Sequence, residues 1–68
     1  MKVAYDAATD ILRILLNEAP IEESDEPSPG VILDYDAQGN VVGMEILDAS
    51  KRVDRPSIVE QSLAGRMG

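Results

Sequence analysis

In residues 1–6, Met1, Val3 and Tyr5 alternate with Lys2, Ala4 and Asp6, and a second, more apolar stretch follows at residues 11–16. A period of two is typical of β-strands, because successive side chains point to opposite faces of a sheet. If Tyr5 pairs with Leu12, Val3 meets Ile14 and Met1 meets Leu16. Residues 7–10 then form a four-residue hairpin loop. The pattern therefore predicts an antiparallel β-hairpin at the start of the chain.

The same pattern returns about thirty residues later, where Tyr35-Asp36-Ala37 matches Tyr5-Asp6-Ala7. A repeated motif of this kind is usually one supersecondary unit used twice. The register of the first hairpin, transferred to the second, pairs Tyr35 with Val42, Leu33 with Met44 and Val31 with Ile46. We therefore predict a second hairpin around residues 37–40, where Gly39 and Asn40 tolerate the positive φ that such loops need.

The two hairpins together predict a sheet with one apolar face. Its twelve side chains are Met1, Val3, Tyr5, Leu12, Ile14, Leu16, Val31, Leu33, Tyr35, Val42, Met44 and Ile46. The opposite face is mixed, with charged residues among Ile11, Leu15, Ile32, Val41 and Leu47. These five aliphatic residues are either scattered exposed side chains or a contact surface, and both interpretations stay open.

Residues 17–30, between the hairpins, contain three prolines and an acidic run at residues 22–26. This composition predicts a solvated connection. A short edge strand at residues 21–24 is an alternative, since prolines and charges protect sheet edges. The acidic run could also form a carboxylate patch for a cationic partner.

After Leu47 the alternation ends, and residues 48–52 are predicted to form a turn. Ser57 and Glu60 have the spacing of a capping box, with Asp54 and Pro56 as competing helix starts. Val59, Leu63 and Met67 then recur every four residues, and Gly65 would end the helix early. The predicted fold is α+β: two tandem antiparallel hairpins in a small sheet over residues 1–52, and a short helical tail over residues 53–68, in a single domain.

The short chain limits which functions are plausible. Its 68 residues allow one small core, and the sequence has neither cysteine nor histidine. Disulfides and thiolate zinc sites are therefore excluded, and the commonest transition-metal ligand is missing. Small domains without such supports often associate, so we expect a homodimer or larger homo-oligomer. No apolar run could cross a membrane and no secretory signal is recognisable, which favours a cytoplasmic protein.

The chain carries a net charge of −7, with thirteen acidic and six basic residues. An acidic body repels phosphate, which disfavours nucleic-acid binding and favours solubility or a basic protein partner. The small basic cluster of Lys51, Arg52 and Arg55 has no aromatic neighbour. We expect it to pair with acidic groups of this chain or of another subunit.

Residues 34–45 match part of the calcium loop of an EF-hand, with Asp34, Asp36, Gly39, Val41 and Glu45 at its first, third, sixth, eighth and twelfth positions. The context argues against this interpretation, because an apolar strand pattern and two prolines precede the loop instead of a helix. A carboxylate metal or ligand module built on Asp34, Asp36 and Glu45 is nevertheless the alternative to an interaction module.

Catalysis finds little support in the residue types present. Without histidine or cysteine the usual nucleophile and base pairs cannot form. A pair of carboxylates remains conceivable for glycoside hydrolysis, but a chain of this length offers little room for a concave site. We predict that the protein is not an enzyme, and we assign no catalytic, cofactor-binding or metal-binding residue and no cofactor.

Three segments resemble the domain-of-unknown-function 2283 family of small prokaryotic proteins. They are Tyr5-Asp6-x-x-x-Asp10, residues 29–36 and residues 43–51, the last reading Gly-Met-Glu-Ile-Leu-Asp-Ala-Ser-Lys. The resemblance covers about residues 1–52 and implies a small α+β domain without an established activity. It supplies no site residues. The sequence thus favours a small acidic module for protein–protein interaction or regulation, acting as a homo-oligomer.

Overall fold

The computed structural model describes residues 1–60 and contains one five-stranded antiparallel sheet. The strands are β1 (Lys2–Asp6), β2 (Ile11–Leu15), β3 (Glu23–Ser28), β4 (Val31–Tyr35) and β5 (Val41–Ile46). A one-turn helix, α1 (Ala49–Arg52), follows β5, and residues 56–60 are also helical. The predicted α+β class is confirmed.

The first hairpin has the predicted register. Tyr5 lies opposite Leu12 and Val3 opposite Ile14. The paired residues end at Lys2 and Leu15, so Met1 and Leu16 lie just outside the hairpin. Both are exposed, at 53% and 41%, so they lie at the margin of the predicted apolar face and not in its core.

The second hairpin departs from the predicted register at one position. Val31–Ile46 and Leu33–Met44 pair as expected, but Tyr35 lies opposite Val41 and not opposite Val42. The shift is a β-bulge, in which one strand carries an extra residue. Val42 is completely buried. The burial agrees with its predicted place on the apolar face, and only its pairing differs.

The strand order is β1-β2-β5-β4-β3, so the two predicted hairpins are not simply laid out in tandem. The second strand of each hairpin, β2 and β5, lies at the centre of the sheet, and they pair antiparallel. The hairpins are therefore related by an approximate two-fold rotation about an axis perpendicular to the sheet. Under this rotation β1 corresponds to β4 and β2 corresponds to β5.

β3 has no counterpart in the first repeat. It is an edge strand paired with β4, and it covers Glu23–Ser28 where the sequence suggested residues 21–24. All six of its side chains are exposed, so burial gave no signal for its position. Its backbone pairing shows that this part of the connection is a strand and not a solvated loop.

The two faces of the sheet differ. The helix-side face carries Val3, Tyr5, Leu12, Ile14, Val31, Leu33, Met44 and Ile46, as predicted. Leu12 is almost completely buried there, while the other seven are half-buried. The open face carries Lys2, Ala4, Ile11, Arg13, Leu15, Ile32, Asp34 and Glu45. Among the aliphatic side chains of residues 1–60, Leu12, Val42 and Ala49 are fully buried and form the centre of the core.

The helical segments hold the two hairpins together at one end of the sheet. The Ala49 amide donates to the Asp10 carbonyl of the first hairpin loop at 2.9 Å, and the Arg52 guanidinium donates to the Pro29 carbonyl beside the second hairpin. Among the competing starts for the second helical segment, Pro56 is its first residue, and Ser57 lies inside it. Leu63, Gly65 and Met67, which the predicted helix also included, lie outside the described residues.

Candidate functional site

A row of four side chains crosses the middle of the open face from β1 to β4. Because partners in a β-ladder share a face, Ala4, Arg13, Glu45 and Ile32 lie side by side. The Arg13 Nε and Glu45 Oε1 atoms are 3.0 Å apart. This ion pair is partly solvated, since the side chain of Arg13 is 65% exposed and that of Glu45 is 25% exposed.

Two shallow grooves of about 310 Å³ each lie on either side of this ion pair. Lys2, Leu15, Ile21 and Asp34 line the first groove. Asp6, Thr9 and Ile11 line the second. Neither groove is lined by a residue from the helical segments at positions 49–60. The open face therefore presents aliphatic side chains around a central pair of opposite charges.

Asp34 is buried in the first groove, with only 8% of its surface exposed. The Ser24 hydroxyl donates to Asp34 Oδ1 at 2.6 Å. A Cβ atom on Gly43, the cross-strand partner of Asp34, would lie 3.1 Å from Asp34 Oδ2. Gly43 therefore leaves room for the carboxylate. The alternating pattern places Asp34 among the charged residues of the mixed face but does not indicate its burial, which depends on Ser24 from another strand and on the missing side chain of Gly43.

Asp36 organises the turn of the second hairpin. Its Oδ1 accepts hydrogen bonds from the Asn40 and Gln38 amides, both at 2.9 Å. These bonds, led by the one from the Asn40 amide, lower the pKa of the Asp36 carboxyl. In the first hairpin, Asp6 likewise accepts a hydrogen bond from a turn amide, that of Ala8, at 2.9 Å. The repeated Tyr-Asp motif is thus a turn-forming device.

The three carboxylates of the alternative metal or ligand site have separate partners. Asp34 binds Ser24, Asp36 binds backbone amides of its turn, and Glu45 pairs with Arg13. Within residues 1–60, no group of three or more acidic side chains has the arrangement of a metal site. The segment that resembles a calcium loop forms the β4–β5 hairpin.

A third, larger groove of about 680 Å³ lies where β3 and the second hairpin turn meet. Its acidic members are Glu22, Glu23, Asp25 and Asp36, and Tyr35 forms part of its wall. The acidic run of the connection and the second Tyr-Asp motif therefore contribute to one surface.

Asp10 forms a hydrogen-bond cluster that sequence reasoning missed. Its Oδ1 accepts the Tyr5 hydroxyl at 2.7 Å, and its Oδ2 accepts the Ser50 hydroxyl at 2.6 Å. The bonds from Ser50 and then Tyr5 lower the pKa of Asp10, and the bond to Asp10 raises the pKa of Tyr5. The motif Tyr5-Asp6-x-x-x-Asp10 contained the signal, but Ser50 lies forty residues away. The cluster joins the first hairpin to α1.

The basic cluster contributes one clear contact to the described part of the chain. The Arg52 guanidinium donates to the Pro29 carbonyl oxygen, beside Gly30. The ion pairs within residues 1–60 are Lys2–Glu18 and Arg13–Glu45, neither of which involves this cluster. The expected pairing of the cluster with acidic groups is thus replaced at Arg52 by a bond to the backbone. Within this same range, no helix has the length and apolarity to span a bilayer.

Comparison with known proteins gives one family. A family described as "Protein of unknown function (DUF2283)" matches residues 2–50, which include all five strands. No curated protein and no solved structure matches the chain.

Proposed function

As this chain belongs to the DUF2283 family, whose function is unknown, we propose that it is a non-enzymatic protein–protein interaction module that acts as a homo-oligomer. The observation that carries this proposal is the open face. Ile11, Leu15 and Ile32 lie half-buried on it beside the Arg13–Glu45 ion pair. Apolar area of this kind is stabilised when a second surface removes it from water.

The small core supports the same proposal. Leu12 and Val42 are the large side chains buried completely within the described residues. Most other aliphatic side chains of the helix-side face are half-buried. Domains of this size gain little net stability from folding alone, and association is a common way to increase it. A second subunit on the open face would add burial that the single chain does not provide.

The central ion pair suits a surface of this kind. An exposed Arg–Glu pair contributes little to the stability of the single chain. In a contact between two copies, Arg13 and Glu45 supply both signs of charge at the same place. Two such faces are therefore able to satisfy each other's charges, which favours one orientation over others.

The third groove, which contains Glu22, Glu23, Asp25 and Asp36 and is called the acidic groove below, is the proposed surface for a different protein. Glu22, Glu23 and Asp25 are exposed there and lie away from the ion pair of the open face. A basic protein segment would gain from this charge, mainly through faster association at low salt. Assembly through the open face and partner binding through the acidic groove are then compatible in one oligomer.

Sedimentation velocity over a wide concentration range tests the proposal. We expect the wild-type chain to sediment as a concentration-dependent dimer or larger species. Ile32→Lys places a charge on the open face, beside Glu45, and should weaken association strongly. Ala8→Lys adds the same charge at an exposed turn position and serves as the matched control.

The two variants separate a specific contact from a general effect of charge. Equal weakening by Ile32→Lys and Ala8→Lys would assign the effect to net charge and contradict a contact at the open face. A wild-type chain that stays monomeric at every concentration would overturn the homo-oligomer itself. Circular dichroism of each variant verifies that its fold is retained.

A further inference from the structure

In the part of the chain that the structure describes, the approximate two-fold symmetry of the sheet leaves the β1 edge without a counterpart of β3. β1 and β4 are equivalent strands, and β3 pairs with the outer edge of β4. Within residues 1–60, no strand pairs with the outer edge of β1. The backbone groups on that edge are therefore placed where the symmetry of the fold would put another strand.

The hydrogen bonds show which groups of β1 point outward. The Tyr5 amide donates to Glu60 Oε2 at 2.6 Å, so it is not bonded to β2. In an antiparallel ladder, bonded and non-bonded pairs alternate. Tyr5 and Val3 therefore both direct their amide and carbonyl groups away from the sheet. An outward row of this kind is a template for a further strand.

The sequence of β1 is complementary to a second, antiparallel copy of itself. Lys2 and Asp6 have opposite charges and lie at equal distances from Ala4. In an antiparallel pair of two β1 strands centred on Ala4, Lys2 of each copy lies opposite Asp6 of the other. Val3 of each copy then lies opposite Tyr5 of the other, which is a favourable cross-strand combination. The outward groups of Val3 and Tyr5 match in this register.

The other edge of the sheet lacks this complementarity. The outer edge of β3 carries Glu23, Asp25 and Glu26, and Pro27 has no amide to donate. Two such edges would repel each other. In β1, Lys2 is held in the single chain by Glu18 at 3.4 Å, with both side chains more than 70% exposed, so this pair exchanges easily.

We propose that two copies of this chain join through their β1 strands, antiparallel and centred on Ala4, into one continuous ten-stranded sheet. This inference rests on the proposed homo-oligomer and adds a contact at the sheet edge, separate from the open face, through which two copies join. In the single chain the Glu60 carboxylate accepts the Tyr5 amide, and pairing of two β1 strands would break this hydrogen bond. Glu60 is therefore a competitor of the dimer contact.

Charge exchange between Lys2 and Asp6 tests the register. In Lys2→Asp, both ends of β1 are acidic, and in Asp6→Lys both are basic. Each variant alone places like charges opposite each other twice, and we expect its dimer to be about tenfold weaker than that of the wild type. An equimolar mixture restores both opposite-charge pairs, and we expect it to form a heterodimer of near wild-type affinity, measured by sedimentation velocity.

A second variant tests the role of Glu60. Glu60→Ala removes the competing carboxylate, and we expect a dimer several times tighter than that of the wild type. Asp54→Ala removes one negative charge from an exposed position nearby and is the matched control. A dimer strengthened equally by both variants would contradict competition by Glu60.

The outcomes separate this inference from the proposed function. If the wild type self-associates but the two charge variants dimerise as well as it does and the mixture gains nothing, the β1 contact is overturned and the homo-oligomer stands. If the wild type is monomeric throughout, both fail. Asp6→Lys also loses the bond to the Ala8 amide, so circular dichroism must first show that this variant is folded.

Discussion

Ile14 and Met44 occupy equivalent positions in the two sequence repeats and are direct cross-strand partners at the centre of the sheet. The rotation that relates the hairpins therefore passes between these two residues. The same rotation relates the neighbouring pairs. Leu12 lies opposite Ile46, and in the rotated pair the Leu16 amide donates to the Val42 carbonyl at 2.8 Å, since Leu16 is equivalent to Ile46 and Val42 to Leu12. The two repeated hairpins thus meet through equivalent strand edges, those of β2 and β5.

Leu12 is the buried centre of the helix-side face, with 1% of its surface exposed. We expect Leu12→Ala to lower the free energy of unfolding by about 2–5 kcal/mol, because it removes buried methyl groups and leaves a cavity. Leu16→Ala makes the same chemical change at a residue that is 41% exposed and should cost much less. Urea denaturation followed by circular dichroism measures both. Similar losses would contradict a core centred on Leu12.

Ser24 is the side-chain hydrogen-bond donor to the buried Asp34 carboxylate. Ser24→Ala leaves that carboxylate with less compensation for burial, and we expect a loss of about 1–3 kcal/mol in the free energy of unfolding. Ser28→Ala, on the same strand at an exposed position, is the control. The measurement is again the urea midpoint. If the two variants were equally stable, Asp34 would not depend on Ser24.

Gly43 faces Asp34 across the ladder, and an added Cβ would lie 3.1 Å from its Oδ2 atom. We expect Gly43→Ala to cost about 1 kcal/mol, because the carboxylate must shift away from its bond with Ser24. Asp34→Ala removes the obstacle, so Gly43→Ala should cost less in that background. A double-mutant cycle measures this coupling. A coupling energy of zero would show that Gly43 is not required by the carboxylate.

The Asp10 cluster predicts a dependence of stability on acid. Hydrogen bonds from Ser50 and Tyr5 lower the pKa of Asp10 in the folded chain. The stabilisation that the Asp10 carboxylate provides is therefore complete above the ordinary aspartate pKa of about 4. It is lost as the pH falls through the lowered pKa of Asp10 in the folded chain. We expect Asp10→Asn to show a smaller loss of stability on acidification between about pH 7 and pH 2.

Urea midpoints measured across this pH range test the role of Asp10. Asp25→Asn, in the exposed strand β3, is the matched control and should retain the wild-type dependence. The same cluster raises the pKa of Tyr5, so its contribution is present below about pH 10 and is lost as the pH rises through the folded value. An acid profile unchanged by Asp10→Asn would place the acid sensitivity elsewhere.

The hairpins were predictable because their signal is local. Alternation and turn residues lie within a few positions of each other, and the repeat gave the same register twice. Tyr5–Leu12 and Leu33–Met44 pair accordingly. The bulge at Val42 was not predictable, because the register was transferred from the first hairpin, which has no such shift.

The strand order and the environment of Asp34 depended on contacts between distant residues. Nothing local indicates that β2 pairs with β5, since either hairpin could present either edge. The burial of Asp34 requires Ser24 from another strand and a missing side chain at Gly43. The open face could be predicted as mixed, but its grooves and its Arg13–Glu45 pair required the actual arrangement of the strands.

The exposed strand β3 has a consequence for how the protein opens. Since none of its six side chains is buried, its detachment breaks backbone bonds to β4 and the Ser24–Asp34 bond but uncovers no side chain of its own. Local opening is easiest where little apolar area is lost. We therefore expect β1, β2, β5 and β4 to form a stable unit from which β3 can separate on its own. The amide protons of β3 should then be the first in the sheet to exchange with heavy water.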